Sequence, residues 1–375
     1  MLLSLPWHGG LVAGDAFPRV FLLSFMGVGD NLMMFRALDS VRFERQKIHW
    51  VCKSDSAELV EAAFTSDEMF VIHKEYFDTF FGSFYYPVIL FVKLWQCLRE
   101  HKPIHAVILD YKWRPIIFFG LACRLAGIRE ITSCMDKSWT IPFVTRAIRM
   151  RVYENIHEVE RYRDLLAIAG LTMRGSESWK RALSLDGLRL RLVPPVQRHG
   201  RVVLIAPGSI RPFKRWRPEN YHAIVARLMS ANLDVVIVGG ADDHVLGEEI
   251  LSGLAPHAGR NLCGRISWRE LSSLMENADL LLTNDSAPMH LADLVGLQVI
   301  GLFGITQPER CGPYTQRQNC IKASGPESAS YSFGSFGTYD ESSINSITVT
   351  EVWNALVIAL KREGRPLVDP LFQSL

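Results

Sequence analysis

The 375-residue sequence lacks a surplus of charge of either sign and any paired arrangement of cysteines. Lysine and arginine together number 41 and aspartate and glutamate 39, so the formal net charge is only +2. A balance this close gives no bulk field for nucleic acid, so we expect no nucleic-acid partner, and any phosphate recognition must be local. The seven cysteines form no CxxC motif. Their spacing argues against a zinc site or a disulfide framework and predicts reduced thiols in a cytoplasmic setting.

Signals for secretion or for crossing a membrane are also missing. The first twenty residues lack a basic n-region and an uninterrupted apolar core, so we interpret them as an arm rather than a signal peptide. The most membrane-like run is FYYPVILFVKLWQCL, residues 84–98, which contains Pro87 and Lys93. It is too short to span a bilayer, so it predicts at most a peripheral contact with a membrane.

Strand-like and helical segments alternate through both halves of the chain. The first half contains the strand-like runs VFLLSF, IHWVC, MFVIH and AVILD, and the second half contains RVVLIAPGS, DVVIVGG, DLLLTND and QVIGLFG. This alternation predicts parallel βαβ units, and a chain of this length suits two domains. The prolines Pro194 and Pro195 mark a linker. We therefore predict two doubly wound domains, residues 1–193 and 194–375, facing each other across a cleft, with the final helix closing the second domain or crossing back.

The segment RVFLLSFMGVGDNLMMFRAL, residues 19–38, begins like a dinucleotide-binding turn and then departs from it. Leu32 stands where the GxGxxG fingerprint has its third glycine, which argues against a Rossmann oxidoreductase. Asp30 stands where the pyrophosphate would lie and would repel it. Taken alone, Asp30 is predicted to be the N-cap of a helix over residues 31–38. A carboxylate facing a cleft can also serve as a general base, and the two roles do not exclude each other.

The loop APGSIRPFKRW, residues 206–216, has the composition of a phosphate site. Ser209 follows a predicted strand, and Lys214 lies just before a helix that begins near Pro218. Backbone amides, a hydroxyl and a flexible cation could together cradle a diphosphate. The alternative is an ordinary loop with a solvated basic tip.

The loop TNDSAPMHLADLVG, residues 283–296, predicts a second anion-binding turn. Asp285 or Ser286 can cap a helix whose first turn holds a proline, so that N–H groups point outward. His290 lies in that first turn and could add a hydrogen bond to a bound anion. The alternative for His290 is a half-buried packing residue.

Two adjacent carboxylates, Asp242 and Asp243, follow a predicted strand in the run GGADDH. They could form a metal pair. We favour a solvated loop that contacts a ribose.

In combination, these segments resemble glycosyltransferase family 9, the heptosyltransferases of lipopolysaccharide core assembly. The resemblance runs over about residues 19–360, and its most specific part is the block NDSAPMHLADLVGLQVIGLFG. It implies a GT-B fold, an ADP-activated heptose bound mainly by the C-terminal domain, and inversion of the anomeric carbon without a metal-binding DxD. It also implies no cofactor, since the ADP-sugar is a substrate.

The resemblance also implies roles for individual residues. Asp30 matches the catalytic base, Ser209 and Lys214 match contacts to the donor phosphates, and Asp285 matches the acid that holds the sugar hydroxyls. The diphosphate-binding turn is matched by Ser286, Ala287, Met289 and His290. The chain departs from the family at Ser286 and Ala287, where relatives usually have Thr-Gly. Near the end of the chain many relatives have several cysteines, and here only Cys320 remains in the corresponding stretch.

The expected partners are an ADP-heptose or similar nucleotide sugar, a lipopolysaccharide core acceptor and the inner membrane as a peripheral contact. Candidate acceptor-binding residues near the N-terminal half are Gly29, Lys137, Arg146 and Arg149. The alternative for the basic residues is a solvated helix face. Two other functions stay open at this point: a transferase using another nucleotide sugar or a protein acceptor, and a non-catalytic protein that binds a nucleotide sugar.

Overall fold

The structure of the chain is a computed structural model. The chain forms two compact units, residues 1–184 and 185–375. The structure describes residues 19–38, 47–63, 69–72, 85–110, 113–135, 141–149, 156–171, 201–255, 259–324 and 342–362. The predicted domain boundary at residues 193 and 194 lies outside these ranges. Each unit is built on a six-stranded sheet.

The first unit has a parallel sheet with helices between its strands. Its strands are β1 (Arg19–Leu23), β2 (Lys47–Lys53), β3 (Met69–Ile72), β4 (His105–Ile108), β5 (Glu130–Met135) and β6 (Arg146–Arg149). Its described helices are α1 (Val28–Leu38), α2 (Ser54–Ala63), α3 (Tyr85–His101), α4 (Trp113–Leu125) and α5 (Glu158–Ile168). The strands lie in the order β3-β2-β1-β4-β5-β6, and each neighbouring pair is parallel.

The second unit repeats this arrangement. Its strands are β7 (Val202–Ala206), β8 (Asp234–Ile237), β9 (Gly259–Asn261), β10 (Leu280–Asn284), β11 (Val299–Phe303) and β12 (Cys320–Lys322). Its helices are α6 (Pro218–Ser230), α7 (His244–Leu251), α8 (Trp268–Glu276), α9 (Ala287–Val295), α10 (Pro308–Cys311), α11 (Ser342–Asn345) and α12 (Val349–Arg362). The order is β12-β11-β10-β7-β8-β9, again with parallel pairs.

Both strand orders place the first and fourth strands of a unit side by side. The connections leave these two central strands in opposite directions, so a crevice forms beyond their carboxyl ends, where ligands of open α/β sheets bind. In the first unit these strands are β1 and β4, and in the second they are β7 and β10. The predicted pair of doubly wound domains is confirmed.

The central strands are apolar because helices cover both faces of each sheet. Residues Val20–Leu23 and Val203–Ile205 are almost completely buried. The final helix α12 packs on the second unit, where Val352 and Leu356 join the core and Arg201 Nη1 donates to the Leu360 carbonyl.

Two sequence expectations concern the thiols and the apolar run. All seven cysteines lie in the described ranges, where none of them forms a disulfide and six are buried. Among the helices of the described ranges, none has the length and hydropathy needed to cross a bilayer.

Candidate functional site

The loops that follow β7 and β10 meet at the crevice of the second sheet. A short 3-10 turn over Pro212–Lys214 carries the lysine, and Lys214 Nζ lies 2.6 Å from Asp285 Oδ2. The side chains are largely buried, with 16% and 6% of their surfaces exposed. Two residues predicted to act on one ligand are thus brought together as an ion pair across 71 positions of sequence.

Asp285 carries a negative charge at neutral pH. Burial by itself raises its pKa, but the Lys214 ammonium, the hydrogen bond from it and the neighbouring His290 outweigh burial and hold the pKa below its ordinary value. The carboxylate is therefore a hydrogen-bond acceptor, as a group that holds sugar hydroxyls must be.

His290 lies in the first turn of α9 and is buried. Burial lowers its pKa, and the attraction of Asp285 and Asp293 does not overcome that effect. The ring is therefore neutral at neutral pH and acts through hydrogen bonds rather than as a cation. The sequence left two interpretations of His290, a contact to an anion and a packing residue. A neutral buried ring is consistent with both.

The first turn of α9 begins with an extended Ser286 at the N-cap position, φ −152° and ψ 169°, whose side chain makes no cap hydrogen bond. Its hydroxyl lies 3.1 Å from Thr283 Oγ1 instead. Ala287 and Pro288 are the first two helical residues, and Pro288 has no N–H to satisfy. The turn is therefore left without a side-chain cap at the end of the helix that attracts anions.

Met289 takes part in this turn through its backbone. Its side chain is fully buried. A Cβ added to Gly301 would lie 3.0 Å from Met289 Sδ, so the thioether packs against β11. The predicted donor contact of Met289 is therefore restricted to its main chain, whose N–H donates to the Ser286 carbonyl at 3.1 Å.

Asn284 joins the two loops, and the sequence analysis did not single it out. Its Oδ1 accepts hydrogen bonds from Tyr221 Oη at 2.8 Å and from Trp216 N at 3.3 Å. Its Nδ2 donates to the Pro207 carbonyl at 2.6 Å. The side chain is completely buried. A carboxamide ending the apolar strand DLLLTN was the available signal, because such a group needs buried partners.

Gly208 and Asp243 bring the loop after β8 against the same site. A Cβ at Gly208 would lie 2.2 Å from Asp243 Oδ2, closer than any side chain permits. The same oxygen accepts a hydrogen bond from Gly240 N at 3.0 Å. Asp243 therefore has a structural contact in addition to any contact with a ribose.

Ser209, the next residue of the predicted site, is half-buried, and its carbonyl accepts a hydrogen bond from Arg215 Nε at 2.7 Å.

In the first unit, Asp30 is half-buried in the first turn of α1. The helix begins at Val28, and Asn31 N donates to the Gly27 carbonyl at 3.1 Å, so Gly27 is the N-cap. The interpretation of Asp30 as the N-cap is therefore wrong, since it is the third helical residue. The positive end of the helix dipole still favours its charge there.

Buried hydrogen bonds hold the loop between β1 and α1. Asn31 Nδ2 donates to Ser56 Oγ at 2.8 Å, and Ser24 Oγ donates to Asn31 Oδ1 at 3.3 Å. Phe25 N donates to Asp110 Oδ2 at 2.7 Å, which ties the loops after β1 and β4 together at the first crevice. Asn31 and Asp110 are further residues that the sequence analysis missed, and Asp110 stands out only as a carboxylate ending an apolar strand.

The predicted acceptor-binding residues do not form one cluster in the described part of the chain. Gly29 lies next to Asp30 in α1, whereas Arg146 and Arg149 belong to the edge strand β6. Arg146 pairs with Glu130 at 3.2 Å. The alternative of a solvated helix face is therefore wrong for these two arginines, which are in a strand. Lys137 lies outside the described residues.

A metal site was the other alternative for Asp242 and Asp243. Within the ranges that the structure describes, no three His, Cys, Asp or Glu side chains converge as ligands of a metal ion.

Comparisons with known proteins identify similar chains. The chain is 30% identical over 125 residues to lipooligosaccharide heptosyltransferase 2 of Haemophilus influenzae. That match covers 32% of this chain and 36% of the relative, so it spans about a third of the relative's length. The E. coli ADP-heptose LPS heptosyltransferase II structure has a TM-score of 0.67 at 21% identity, covering 92% of this chain and all of that one. The glycosyl transferase family 9 structure from Veillonella parvula has a TM-score of 0.70 at 19% identity, covering 93% and 98%.

At these identities the likeness to solved structures establishes the fold, and it confirms the predicted GT-B class of two Rossmann-like domains. The family model described as glycosyltransferase family 9 (heptosyltransferase) matches residues 121–335. This range includes Lys214, Asp285 and the first turn of α9, while Asp30 lies before it. Because the matched range is more than half of the chain, the chain belongs to glycosyltransferase family 9.

Proposed function

We propose that the chain transfers a heptose from an ADP-activated donor to a lipopolysaccharide core acceptor, with inversion at the anomeric carbon. The observation that carries the proposal is the Lys214–Asp285 pair beside the uncapped first turn of α9, inside the residues matched by the family model. A cation and an anion-attracting turn suit a diphosphate, and a buried ionised carboxylate suits the hydroxyls of a sugar.

The donor diphosphate contacts Lys214, Ser209 and the turn over residues 286–290. An ammonium has three donor hydrogens, so Lys214 can keep its bond to Asp285 while it donates to a phosphate oxygen. As the bond between the anomeric carbon and the diphosphate breaks, negative charge grows on the ADP leaving group. These fixed donors then bind the transition state more strongly than the ground state, which lowers the barrier without a metal ion.

The acceptor hydroxyl is activated by Asp30. The carboxylate takes the hydroxyl proton while the acceptor oxygen forms a bond to the anomeric carbon, and ADP departs from the opposite face. Support comes from the position of Asp30, half-buried in the first turn of α1 at the carboxyl end of β1. Gly29, Lys137, Arg146 and Arg149 are the proposed contacts for an anionic acceptor, reached on the cytoplasmic side of the inner membrane.

The test is a transfer assay monitored by mass spectrometry, with ADP-heptose and core acceptors that lack a terminal heptose. A mass gain of one heptose on the acceptor, with release of ADP, supports the proposal. The parallel arm uses a panel of other nucleotide sugars and a protein acceptor, so that a related transferase is identified by its own product. Binding of ADP-heptose without product in any arm would assign the chain to a non-catalytic binding protein.

A further inference from the structure

The exposed apolar residues of this protein are concentrated on two neighbouring helices of the first unit. The described part of the chain has ten exposed large hydrophobic residues, and six of them lie on α3, on α4 or just beyond α3. These six are Val88, Val92, Ile104, Trp113, Ile117 and Leu125. The other four, Ile168, Ile210, Val245 and Ile358, belong to four different segments. Scattered exposed hydrophobics are ordinary, but a concentration of this kind marks an interaction surface.

Four of the six residues form one exposed pair on α3 and one on α4. Val88 and Val92 are one turn apart on α3, and Trp113 and Ile117 are one turn apart on α4, so each pair shares a helix face. The inner sides of both helices pack on the sheet, through side chains that include Leu94 and Phe119.

An aromatic contact holds the two helices side by side. The rings of Phe91 and Phe118 meet edge to face, with their centroids 5.5 Å apart. Phe91 and Phe118 are the sequence neighbours of Val92 and Ile117. The exposed pairs on the two helices therefore lie next to the contact between the helices. We call Val88, Val92, Trp113 and Ile117 the outer helix face.

The exposed charges on α3, on α4 and between these helices are mostly positive. Over residues 85–125, the described Lys and Arg side chains are Lys93, Arg99, Lys102, Arg114 and Arg124. The only exposed acid in the same stretch is Glu100, because Asp110 is buried and accepts a hydrogen bond from Phe25. The whole chain, by contrast, is nearly neutral at +2.

Trp113 is the most exposed of these apolar side chains, at 62%. The Arg114 guanidinium lies over its ring, 5.2 Å from the centroid. A tryptophan beside a cation suits the boundary between lipid headgroups and acyl chains, where the ring is partly buried and the cation meets phosphate.

We infer that the outer helix face binds the surface of a bilayer containing anionic phospholipids. The apolar stripes enter the headgroup boundary and the surrounding cations attract the lipid phosphates. The contact is peripheral, since neither helix is long and apolar enough to cross the bilayer. This inference does not depend on the proposed chemistry, because vesicle binding is measured without donor or acceptor.

The test is co-sedimentation of the full chain with vesicles of phosphatidylcholine alone and of phosphatidylcholine mixed with phosphatidylglycerol in equal parts. We expect binding to the mixed vesicles and much weaker binding to the neutral ones. The double variant Val92→Asp/Ile117→Asp should lower the partition coefficient by at least about tenfold, because both side chains lose their burial in the bilayer. Arg114→Glu alone should lower it by about fivefold or more.

The matched control is Val245→Asp, which places the same charge at a residue that is 77% exposed on α7 of the second unit. It should bind vesicles like the parent. A second measurement, the blue shift of tryptophan emission on vesicle addition, should be largely lost in Trp113→Phe, which keeps the fold even if the double variant does not.

Several results would overturn the inference. They are failure of the parent to bind mixed vesicles, equal binding by the parent and the double variant, equal losses in Val245→Asp, and equal binding to neutral vesicles. The parent protein could instead fail to bind vesicles and form a dimer that the Val92→Asp/Ile117→Asp variant does not form. That result would assign the outer helix face to contact with a second copy of the chain.

Discussion

Lys214 Nζ and Asp285 Oδ2 lie 2.6 Å apart at the point where the loops after β7 and β10 meet. The contact holds a cation against the residue that precedes Ser286, the N-cap of α9. It also neutralises a carboxylate that is only 6% exposed. One pair therefore serves both the fold of the second unit and the proposed donor site.

Lys214→Ala should weaken ADP binding and transfer together. The cation is proposed to contact phosphate in both the ground state and the transition state, so KM rises and kcat falls. The variant also leaves Asp285 buried without its cation, which should cost about 3–5 kcal/mol of stability. Calorimetric titration with ADP at a temperature where the variant is folded checks the prediction, and Lys214→Arg is the matched control that keeps the charge. Unchanged ADP affinity in Lys214→Ala would show that this loop does not bind the diphosphate.

The stability of the chain should depend on pH through Asp285. Its pKa is lowered in the folded chain, below an ordinary value of 3.8, so the stability that it contributes is present above about pH 4 and is lost as the pH falls through the folded pKa. Lys214→Met/Asp285→Leu lacks this contribution. The unfolding free energy of the parent, relative to that of the double variant, should therefore fall as the pH drops below about 4. Chemical denaturation at several pH values measures it, and a constant difference would contradict the assignment.

Asn284→Asp should disturb the donor site although the shape of the side chain is kept. The new carboxylate oxygen would face the Pro207 carbonyl at the 2.6 Å position of the present hydrogen bond, so two acceptors would oppose each other. The expected cost is about 1–3 kcal/mol of stability, with weaker ADP binding because Lys214 is carried by the displaced loop. Tyr221→Phe is the control, since it removes only one donor to Asn284 and should leave ADP binding close to that of the parent. Equal ADP affinity in parent and Asn284→Asp would limit Asn284 to a role in folding.

Gly208→Ala should be poorly tolerated because its Cβ would fall 2.2 Å from Asp243 Oδ2. We expect a loss of about 1–3 kcal/mol, and partial recovery when Asp243→Gly is added to make room. A double-mutant cycle of unfolding free energies measures the coupling. Strict additivity of the two substitutions would mean that the two loops do not restrain each other.

Asp30→Asn should separate catalysis from folding. A carboxamide cannot accept the acceptor's proton, so transfer should fall by about 10²- to 10⁴-fold. The stability cost should be about 0.3–1 kcal/mol, because the variant loses a charge in the first turn of α1 while the cap at Gly27 is untouched. ADP affinity, measured in the same preparation, should stay at the parent value because the proposed donor contacts belong to the second unit. Near-parent transfer by folded Asp30→Asn protein would move the search for the base to another residue.

Much of the fold followed from local patterns. The apolar runs predicted as strands are strands, and the loops after β7 and β10 occupy the edge of the sheet where ligands gather. These predictions succeeded because burial on both faces makes a parallel strand apolar, and because the carboxyl ends of all parallel strands lie at one edge. Lys214 and Asp285 could be singled out for the same reason.

The predicted ends of helices and strands agreed less well with the structure. The helix α1 starts at Val28 rather than Asn31, so Asp30 moved from the cap into the first turn. Glycines near a helix start obscure its boundary, because they are compatible with both helix and turn. The arginines Arg146 and Arg149 lie in an edge strand whose short apolar pattern, RAIR, carries little periodic signal.

The alternation of strands and helices, the two-domain organisation and the residue types at each strand end could be read from the sequence, because they depend on local periodicity and on burial. Which of those residues touch is a property of the folded chain. The pairing of Lys214 with Asp285, the three hydrogen bonds of Asn284 and the contact of Asp243 with Gly208 join segments that are tens of residues apart. Such contacts depend on strand order and loop packing, which place side chains within about 3 Å of each other regardless of their separation in sequence.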